Sequence, residues 1–314
     1  MRYTEEQLKL FTKPLSETEK ESCERALRMI KDVFKKHNFI EGSSQLLNSE
    51  DGISTTLLQG EELQISIFIQ GSYANNTNVK SNSDIDIAVV LESTFVGNFS
   101  MLSTARDLGF IEVDFDFQCY KNKIVEILKT FFGEEVEVGA KSIKIRGNSS
   151  RVKADVVPLQ RFRDYANPLS TNSNVYTKGV ILYDSNNNPI INYPESHIEK
   201  GRYKNIITNS YYKKLVRICK RILLQMKNNN IREVEGNSSF LIESLLFNMP
   251  DYIFISEDTY QLKLIAVINY LLSEGENIKA WKEANDIKPL FDQSSYSVND
   301  TLLFLERMKV YCGC

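Results

Sequence analysis

The chain has 314 residues, of which 42% are apolar, and a formal net charge of −3. This composition predicts an ordinary globular protein with one large domain or two lobes. The sequence has no 18-residue apolar run and no apolar signal region at its N-terminus, so we expect a cytoplasmic protein without a membrane partner. Two histidines, His37 and His197, leave little material for Ser-His-Asp or Cys-His hydrolysis. Five cysteines without a C-x-x-C pair predict free thiols rather than structural zinc.

Residues 16–37 are predicted to form a long amphipathic helix. Ser16 is a suitable N-cap, and Glu19 lies three residues later, as in a capping box. Apolar residues then recur at helical spacing, at Ala26, Ile30, Val33 and Phe34. This pattern is typical of a helix with one buried face.

A strand that ends in a sharp turn is predicted at residues 62–71. Apolar and polar residues alternate along it, with Phe68 as the one exception. Gly71 permits the sharp exit, and Ser72 to Asn76 can open a helix whose unpaired backbone N–H groups point at an anion. The Ser72 hydroxyl adds a further donor. We therefore predict a phosphate-binding turn at Gly71 and Ser72.

Two carboxylates follow this turn at close range, in Ser83-Asp84-Ile85-Asp86-Ile87. Because side chains alternate along a strand, Asp84 and Asp86 share one face. Like charges this close raise one pKa unless a cation compensates them. Mg²⁺ prefers oxygen ligands and takes one or two carboxylates with water and substrate phosphate. A two-metal site, with ions roughly 3.5–4 Å apart, needs a third carboxylate.

Asp155 is the best candidate for this third carboxylate. It lies in the alternating segment 151–158, where an acid in a strand suited to burial needs a partner. Glu112, Asp114 and Asp116 also alternate, but no phosphate-binding turn precedes them. We interpret these three acids as the solvent face of a strand or loop.

The sequence changes character at about residue 166. Before it lie strands and helical stretches such as Lys121–Phe132, the mixed pattern of a twisted sheet with helices. From about residue 166 the sequence is rich in Asn, Ser and Pro, as in the segment 184–189, which indicates a turn or linker. Apolar i, i+3, i+4 spacing then predicts four bundled helices, at 212–227, 240–247, 260–272 and 301–311. We predict an α+β, bilobed fold. Residues 1–170 would form a mixed-sheet catalytic lobe that includes the long N-terminal helix, and residues 171–314 would form a helical nucleotide-binding lobe.

Basic charge is concentrated between Lys200 and Arg232, which hold ten Lys or Arg and no Asp or Glu. One such strip suits a small polyanion, since a duplex-binding protein more often presents a broad basic face. Lys213, Arg217 and Lys220 share a helix face within it. Two interpretations are open, a solvated surface and phosphate binding, and we favour the second.

Three motifs together resemble the polymerase-β-type nucleotidyltransferases: Gly71-Ser72-Tyr73, Ser83-Asp84-Ile85-Asp86 and Ala154-Asp155-Val156. More narrowly, the chain resembles the cGAS/DncV-like group (CD-NTases) of the bacterial anti-phage (CBASS) type. The similarity continues through Asn192-Tyr193-Pro194, the stretch from Tyr212 to Lys227, and Ser238-Ser239-Phe240. The three carboxylates alone also fit poly(A) polymerases, CCA-adding enzymes, oligoadenylate synthases and aminoglycoside nucleotidyltransferases. The similarity of the C-terminal segments favours the CD-NTases.

The resemblance implies that Asp84, Asp86 and Asp155 are catalytic and hold two Mg²⁺ ions, with Mn²⁺ as a substitute. It implies that Gly71 and Ser72 contact phosphate. Asp155, nearest the acceptor hydroxyl by this analogy, would also accept its proton.

The resemblance also implies a nucleotide-binding role for part of the C-terminal lobe. Lys220 and Ser239 match residues that touch the donor triphosphate. Phe240 matches an aromatic on the nucleobase, and a place in the hydrophobic core is an equal alternative. Arg217 would bind phosphate or pair with an acid at the lobe interface. For His197 we expect a structural or hydrogen-bonding role.

The activity implied is the joining of NTPs into a cyclic di- or trinucleotide with release of pyrophosphate. The cyclic product would then activate a separate effector protein in anti-phage defence. No His/Cys zinc ribbon or basic DNA face is evident, so we expect no activation by duplex DNA, and we expect a monomer. Two alternatives stay open. One is a linear transferase acting on RNA or a small acceptor. The other is a non-catalytic nucleotide-binding or scaffold protein, and the presence of all three carboxylates counts against it.

Overall fold

The computed structural model of the chain describes residues 1–48, 53–79, 84–99, 103–149, 151–166, 172–291 and 296–314. Two compact units are defined by their internal contacts. The sheet unit comprises residues 16–74 and 80–195, and the helical unit comprises residues 1–15, 75–79 and 196–314. The lobe boundary predicted between residues 170 and 171 falls outside the described residues and stays a prediction.

Nine strands and ten α-helices are found in the described residues. The strands are β1 Ile40–Asn48, β2 Ile53–Gln59, β3 Gln64–Gln70, β4 Ile85–Asn98, β5 Val136–Val138, β6 Ile143–Ile145, β7 Ala154–Asp164, β8 Thr177–Tyr183 and β9 Pro189–Asn192. The helices are α1 Glu5–Phe11, α2 Glu17–Lys36, α3 Gly71–Ala74, α4 Phe117–Phe132, α5 Pro194–Ile207, α6 Tyr211–Asn228, α7 Ser239–Asn248, α8 Tyr252–Ile255, α9 Tyr260–Glu274 and α10 Val298–Cys312.

The long helix predicted at residues 16–37 is confirmed as α2. The Ser16 hydroxyl accepts from the Glu19 backbone N–H, and the Glu19 carboxylate accepts from the Ser16 backbone N–H at 2.8 Å. This capping box satisfies donors that a helix start otherwise leaves unpaired. The residues buried on its inner face include the predicted set, namely Ala26, Ile30, Val33 and Phe34.

The strands form one mixed sheet in the order β1-β2-β3-β4-β7-β6-β5, with β8 paired to β7 and β9 to β8. β4 and β7 run parallel, and β3 pairs with β4 antiparallel. The middle of β4, residues 87–91, is apolar and fully buried, as expected for a central strand. Because β4 and β7 are parallel neighbours, their first residues lie at the same edge of the sheet.

The segment predicted from about residue 166 as a turn or linker contains two strands that the sequence analysis does not predict, at residues 177–192. They form the hairpin of β8 and β9, which extends the sheet beyond β7. The Asn-rich segment is indeed a turn, because the Asp184 carboxylate accepts from the backbone N–H groups of Asn186 at 2.9 Å and Asn188 at 2.8 Å. This turn connects two strands of the sheet unit.

The four helices predicted in the C-terminal part are confirmed as α6, α7, α9 and α10. The helices α5 and α8 were not predicted. Apolar side chains of the helical unit form one core, with fully buried members on α1, α6, α8 and α10, such as Leu8, Leu215, Phe254 and Phe304. The predicted α+β class, with a mixed sheet, a long N-terminal helix and a C-terminal helical bundle, is confirmed. Within the described ranges, no helix is both long and apolar enough to cross a membrane.

Candidate active site

Asp86 and Asp155 stand side by side at one edge of the sheet. Asp86 on β4 is the register partner of Asp155 on β7, and it also opposes Gln70 on β3. Asp155 in turn opposes Lys144 on β6. Register partners on neighbouring strands point to the same face. The side chains of Gln70, Asp86, Asp155 and Lys144 therefore form one polar row across four strands.

The remaining predicted carboxylate, Asp84, lies just before β4 and is exposed. Ser83 of the same motif lies outside the described residues. The charge of Asp84 acts on both acids of the polar row, since it contributes to the pKa shifts of Asp86 and of Asp155. The three acids are thus electrostatically coupled.

The pKa values of the row show the cost of bringing these acids together. Burial, with the charges of Asp155 and Asp84, raises the pKa of Asp86 to about 6. Burial and the charge of Asp84 also raise the pKa of Asp155, while the adjacent Lys144 opposes that shift. The ionised row is therefore strained by like-charge repulsion, and a cation bound among the carboxylates would relieve it.

The donor set fits Mg²⁺, although the carboxylates alone do not form an assembled metal centre. In the described part of the chain, no three His, Cys, Asp or Glu side chains are grouped so that they could hold a metal ion. The three acids nevertheless offer only oxygen donors, which Mg²⁺ prefers, and their mutual repulsion is the property that a divalent ion removes. Metal binding at this edge stays a prediction.

Gly71 lets the backbone after β3 pass directly against Asp86. Its φ is +70°, and a Cβ at this position would lie 2.9 Å from Asp86 Oδ2. The helix that follows is shorter than predicted, because α3 covers only Gly71–Ala74 and Asn76 takes a left-handed conformation with φ 53°. Ser72 is half-buried in this single turn. The turn places Gly71 and Ser72 beside the polar row.

The acids Glu112, Asp114 and Asp116 play no part in the polar row. They are exposed, and no strand forms at residues 110–116. Asp116 caps α4, its carboxylate accepting from the Gln118 backbone N–H at 2.8 Å. The interpretation of these acids as a solvent-facing segment is confirmed.

In the helical unit, the predicted phosphate ligand Lys220 is buried, with 2% of its side chain exposed. Its ammonium donates to Thr77 Oγ1 at 2.9 Å and to Glu243 Oε2. Lys213 and Arg217 are buried as well, so the solvated-surface interpretation of this helix face is wrong. Arg217 donates to the carbonyl oxygens of Thr12, at 2.6 Å, and of Asn76.

Ser239 and Phe240 begin α7. Ser238 is the N-cap, accepting from the Leu241 backbone N–H, whereas Ser239 is exposed at the first helical position. Phe240 is half-buried and packs edge-on against His197, with ring centroids 5.6 Å apart. Both interpretations of Phe240 stay open, because part of the ring is packed and part is accessible.

Sequence reasoning missed two residues, Lys144 and Glu243. Lys144 alternates with apolar Ile143 and Ile145, a signal for the exposed side of a short strand. Glu243 is a lone acid in the apolar helix α7, and a buried acid requires partners. Those partners, Lys220 and His197, lie 23 and 46 residues away in the chain.

The glycine turn after β3 and the acids paired across β4 and β7 lie in a part of the chain that matches a known family. Residues 53–175 match the family described as nucleotidyltransferase domain. Residues 199–313 match the cGAS/DncV-like nucleotidyltransferase C-terminal helical domain. The chain is an enzyme of the nucleotidyltransferase class.

Similarity to known proteins extends over nearly the whole chain. The chain is 38% identical over 296 residues to the cyclic GMP-AMP synthase CdnE03 of Staphylococcus schleiferi, covering 93% of this chain and 91% of that protein. It is 32% identical over 290 residues to the cyclic dipyrimidine nucleotide synthase CdnE of Legionella pneumophila, covering 91% and 90%. The solved structure of the Elizabethkingia meningoseptica CdnE cyclic dinucleotide synthase with GTP and Apcpp is similar, with a TM-score of 0.77, 28% identity and coverage of 99% and 100%. The chain belongs to the cGAS/DncV-like nucleotidyltransferases, as its motifs predict.

Proposed function

We propose that this enzyme joins nucleoside triphosphates into a cyclic di- or trinucleotide. A ribose hydroxyl of one nucleotide attacks the α-phosphorus of another, the new P–O bond forms, and pyrophosphate leaves. Ring closure repeats this step within the linear intermediate. The register of Asp86 against Asp155, next to Gly71, carries the proposal, and the names of the relatives support a cyclic product.

Asp84, Asp86 and Asp155 are the residues that would hold two Mg²⁺ ions, or Mn²⁺ in their place. When bound, such ions activate the attacking hydroxyl and neutralise the leaving pyrophosphate. Asp155 accepts the proton of the attacking hydroxyl, and its raised pKa suits a group that binds this proton. Lys144, opposite Asp155, supplies a positive charge on the same face.

In this proposal, Gly71 and Ser72 contact the phosphates of the donor nucleotide. Lys220 and Ser239 bind its triphosphate, and Phe240 stacks on its base. Most of the catalytic work is positioning and charge neutralisation, so the chain needs no covalent intermediate.

Incubation with α-³²P-labelled NTPs and Mg²⁺, followed by phosphatase, tests the proposal. We expect a labelled product that resists phosphatase, since a ring has no terminal phosphate, and mass spectrometry then gives its bases. The pair ATP and GTP is tested first, because the relative at 38% identity is a cyclic GMP-AMP synthase. Label that appears only in added RNA or in a small acceptor would establish the linear transferase instead.

Matched acid variants complete this test. Asp86→Asn should abolish the product while the fold is retained, and Asp114→Asn, which neutralises an exposed acid away from the polar row, should leave the product unchanged. Product formation by Asp86→Asn at the wild-type rate would overturn the assignment of the site.

We further propose that the cyclic product activates a separate effector protein in anti-phage defence. The enzyme works in the cytoplasm as a monomer, and its activity does not need duplex DNA. Cells that carry the enzyme and its effector should resist phage, and cells with Asp86→Asn should not. Light scattering should give a mass near 36.1 kDa. Equal phage resistance with Asp86→Asn, or turnover only with added duplex DNA, would contradict these statements.

A further inference from the structure

The helical unit contains a buried carboxylate, Glu243, with partners from three separate segments. Glu243 is on α7 and is 2% exposed. Its carboxylate accepts from Thr77 Oγ1 at 2.8 Å, from His197 Nε2 at 2.9 Å and from the Lys220 ammonium. Because a carboxylate only accepts, the His197 proton is on Nε2. One acid therefore fixes the positions of three donors.

The charge of Glu243 is maintained by these donors. Burial alone raises the pKa of this carboxyl, yet the charges of Lys220 and His197 hold it well below its ordinary range. Replacing a buried ion pair by apolar side chains is often neutral or stabilising, so such a pair is weak evidence of a purely stabilising role. The network is better explained by the positions that it imposes on its members.

Two of these members belong to the proposed donor-nucleotide site. Lys220 donates through two of its three ammonium N–H groups to Thr77 and Glu243, and the proposed function assigns the third to a phosphate oxygen. His197 holds the ring of Phe240, the proposed base contact, edge-on at 82°. Glu243 therefore connects the residue that would meet the phosphates to the residue that would meet the base.

The spacing along α7 supports this connection. Glu243 lies four residues after Ser239 and three after Phe240, so the three side chains share one side of the helix. The helix thus carries a proposed phosphate contact, a proposed base contact and the acid that orders their partners.

We propose that Glu243 is the positioning residue of the donor-nucleotide site, holding Lys220 for the triphosphate and His197 with Phe240 for the base. The proposal rests on the proposed function only for the statement that Lys220 and Phe240 meet a nucleoside triphosphate. It requires that a ligand bound at Lys220 changes the environment of the His197 ring, because both side chains donate to the Glu243 carboxylate.

¹⁵N NMR of the histidine rings tests this coupling directly. The chain has only two histidines, so His37→Gln leaves His197 as the one ring signal. Inorganic tripolyphosphate, which has no base, should shift the His197 Nε2 resonance in a saturable way. An unchanged resonance at saturating tripolyphosphate would overturn the proposal, and this readout needs no turnover or cyclic product.

Variants then separate the two ends of the site. Glu243→Gln should raise the inhibition constants of both tripolyphosphate and a nucleoside on the order of tenfold, since charged hydrogen bonds are lost at both ends. Lys220→Met should weaken tripolyphosphate more than the nucleoside, and His197→Phe should weaken the nucleoside more than tripolyphosphate. If Glu243→Gln folds and leaves both constants unchanged, Glu243 is a structural residue alone.

The double variant Lys220→Met with Glu243→Gln covers the case in which Glu243→Gln does not fold, because it leaves no buried unpaired ammonium. Its nucleoside inhibition constant should rise relative to that of Lys220→Met. Equal values in these two variants would show that Glu243 does not act on the base end.

Discussion

Gly71 and Asp86 approach each other so closely that a Cβ on Gly71 would lie 2.9 Å from Asp86 Oδ2. The contact joins the turn after β3 to the carboxylate on β4. It explains why the predicted phosphate turn and the predicted metal ligand lie next to each other, and it leaves no room for a side chain at Gly71 unless Asp86 moves.

Gly71→Ala should destabilise the protein and suppress turnover. Alanine at a positive φ costs about 1 kcal/mol, and here the methyl group also displaces the Asp86 carboxylate. Gly109→Ala is the matched control, because Gly109 has φ +78° but no atom within 4 Å of its added Cβ. Urea unfolding and turnover of both variants isolate the Asp86 contact. Equal losses in the two variants would show that only the backbone conformation matters.

Asp86 should make the metal-free protein less stable as the pH rises from about 4 to about 6. Its folded pKa of about 6 lies above the ordinary 3.8, so the folded state binds its proton more tightly. Stability is therefore lost as this proton leaves, and the loss is complete above pH 6. Asp86→Asn removes the penalty and should be more stable than wild type at pH 7 by about 1–3 kcal/mol, and nearly equal at pH 4.

Urea unfolding in EDTA between pH 4 and 7 measures this difference, and Asp107→Asn supplies a control of opposite sign. Hydrogen bonds from the Thr104 backbone and side chain lower the pKa of Asp107, so its stabilisation is present at neutral pH and is lost in acid. A stability gain for Asp86→Asn that is the same at pH 4 and pH 7 would refute the assigned pKa.

The sequence predicts much of the candidate site because local periodicity determines strands and turns. Alternation around Asp86 and Asp155 places each acid on a strand face. The alternation does not determine that Asp86 of β4 lies opposite Asp155 of β7. Strand register depends on packing between segments that are far apart in the chain. For the same reason, the sequence does not show that Lys144 lies opposite Asp155.

The hairpin of β8 and β9 was missed for a different reason. Its Asn-rich segment predicts a turn or linker, and the structure shows a turn that follows the apolar residues Val180, Ile181 and Leu182 of β8. Turn chemistry alone does not distinguish a hairpin from a linker, because Asp and Asn make the same backbone contacts in both.

Lys144→Met should move the acidic limb of the pH–rate profile to higher pH. The Lys144 charge lowers the pKa of Asp155 against burial and Asp84, so its loss raises that pKa further and leaves more Asp155 protonated in mild acid. Product formation at limiting NTP and Mg²⁺ gives the profile, because kcat/KM reports the pKa values of the free enzyme. Lys129→Met, an exposed lysine on α4, should leave the limb in place. A limb unchanged by Lys144→Met would mean that a group other than Asp155 sets it.

Arg161→Met should destabilise the protein much more than Lys178→Met. Arg161 is 1% exposed and donates to Glu92, to Glu195 at 2.8 Å and to the Gly179 carbonyl at 3.0 Å. Its loss leaves the largely buried Glu92 without its ion pair and Glu195 with the more exposed Lys178, which costs about 3–5 kcal/mol. Lys178, which also pairs with Glu195 but is 43% exposed, is the matched control, and Lys178→Met should cost less than about 1 kcal/mol. Urea midpoints compare them, and similar losses for both variants would show that burial of the Arg161 pairs is unimportant.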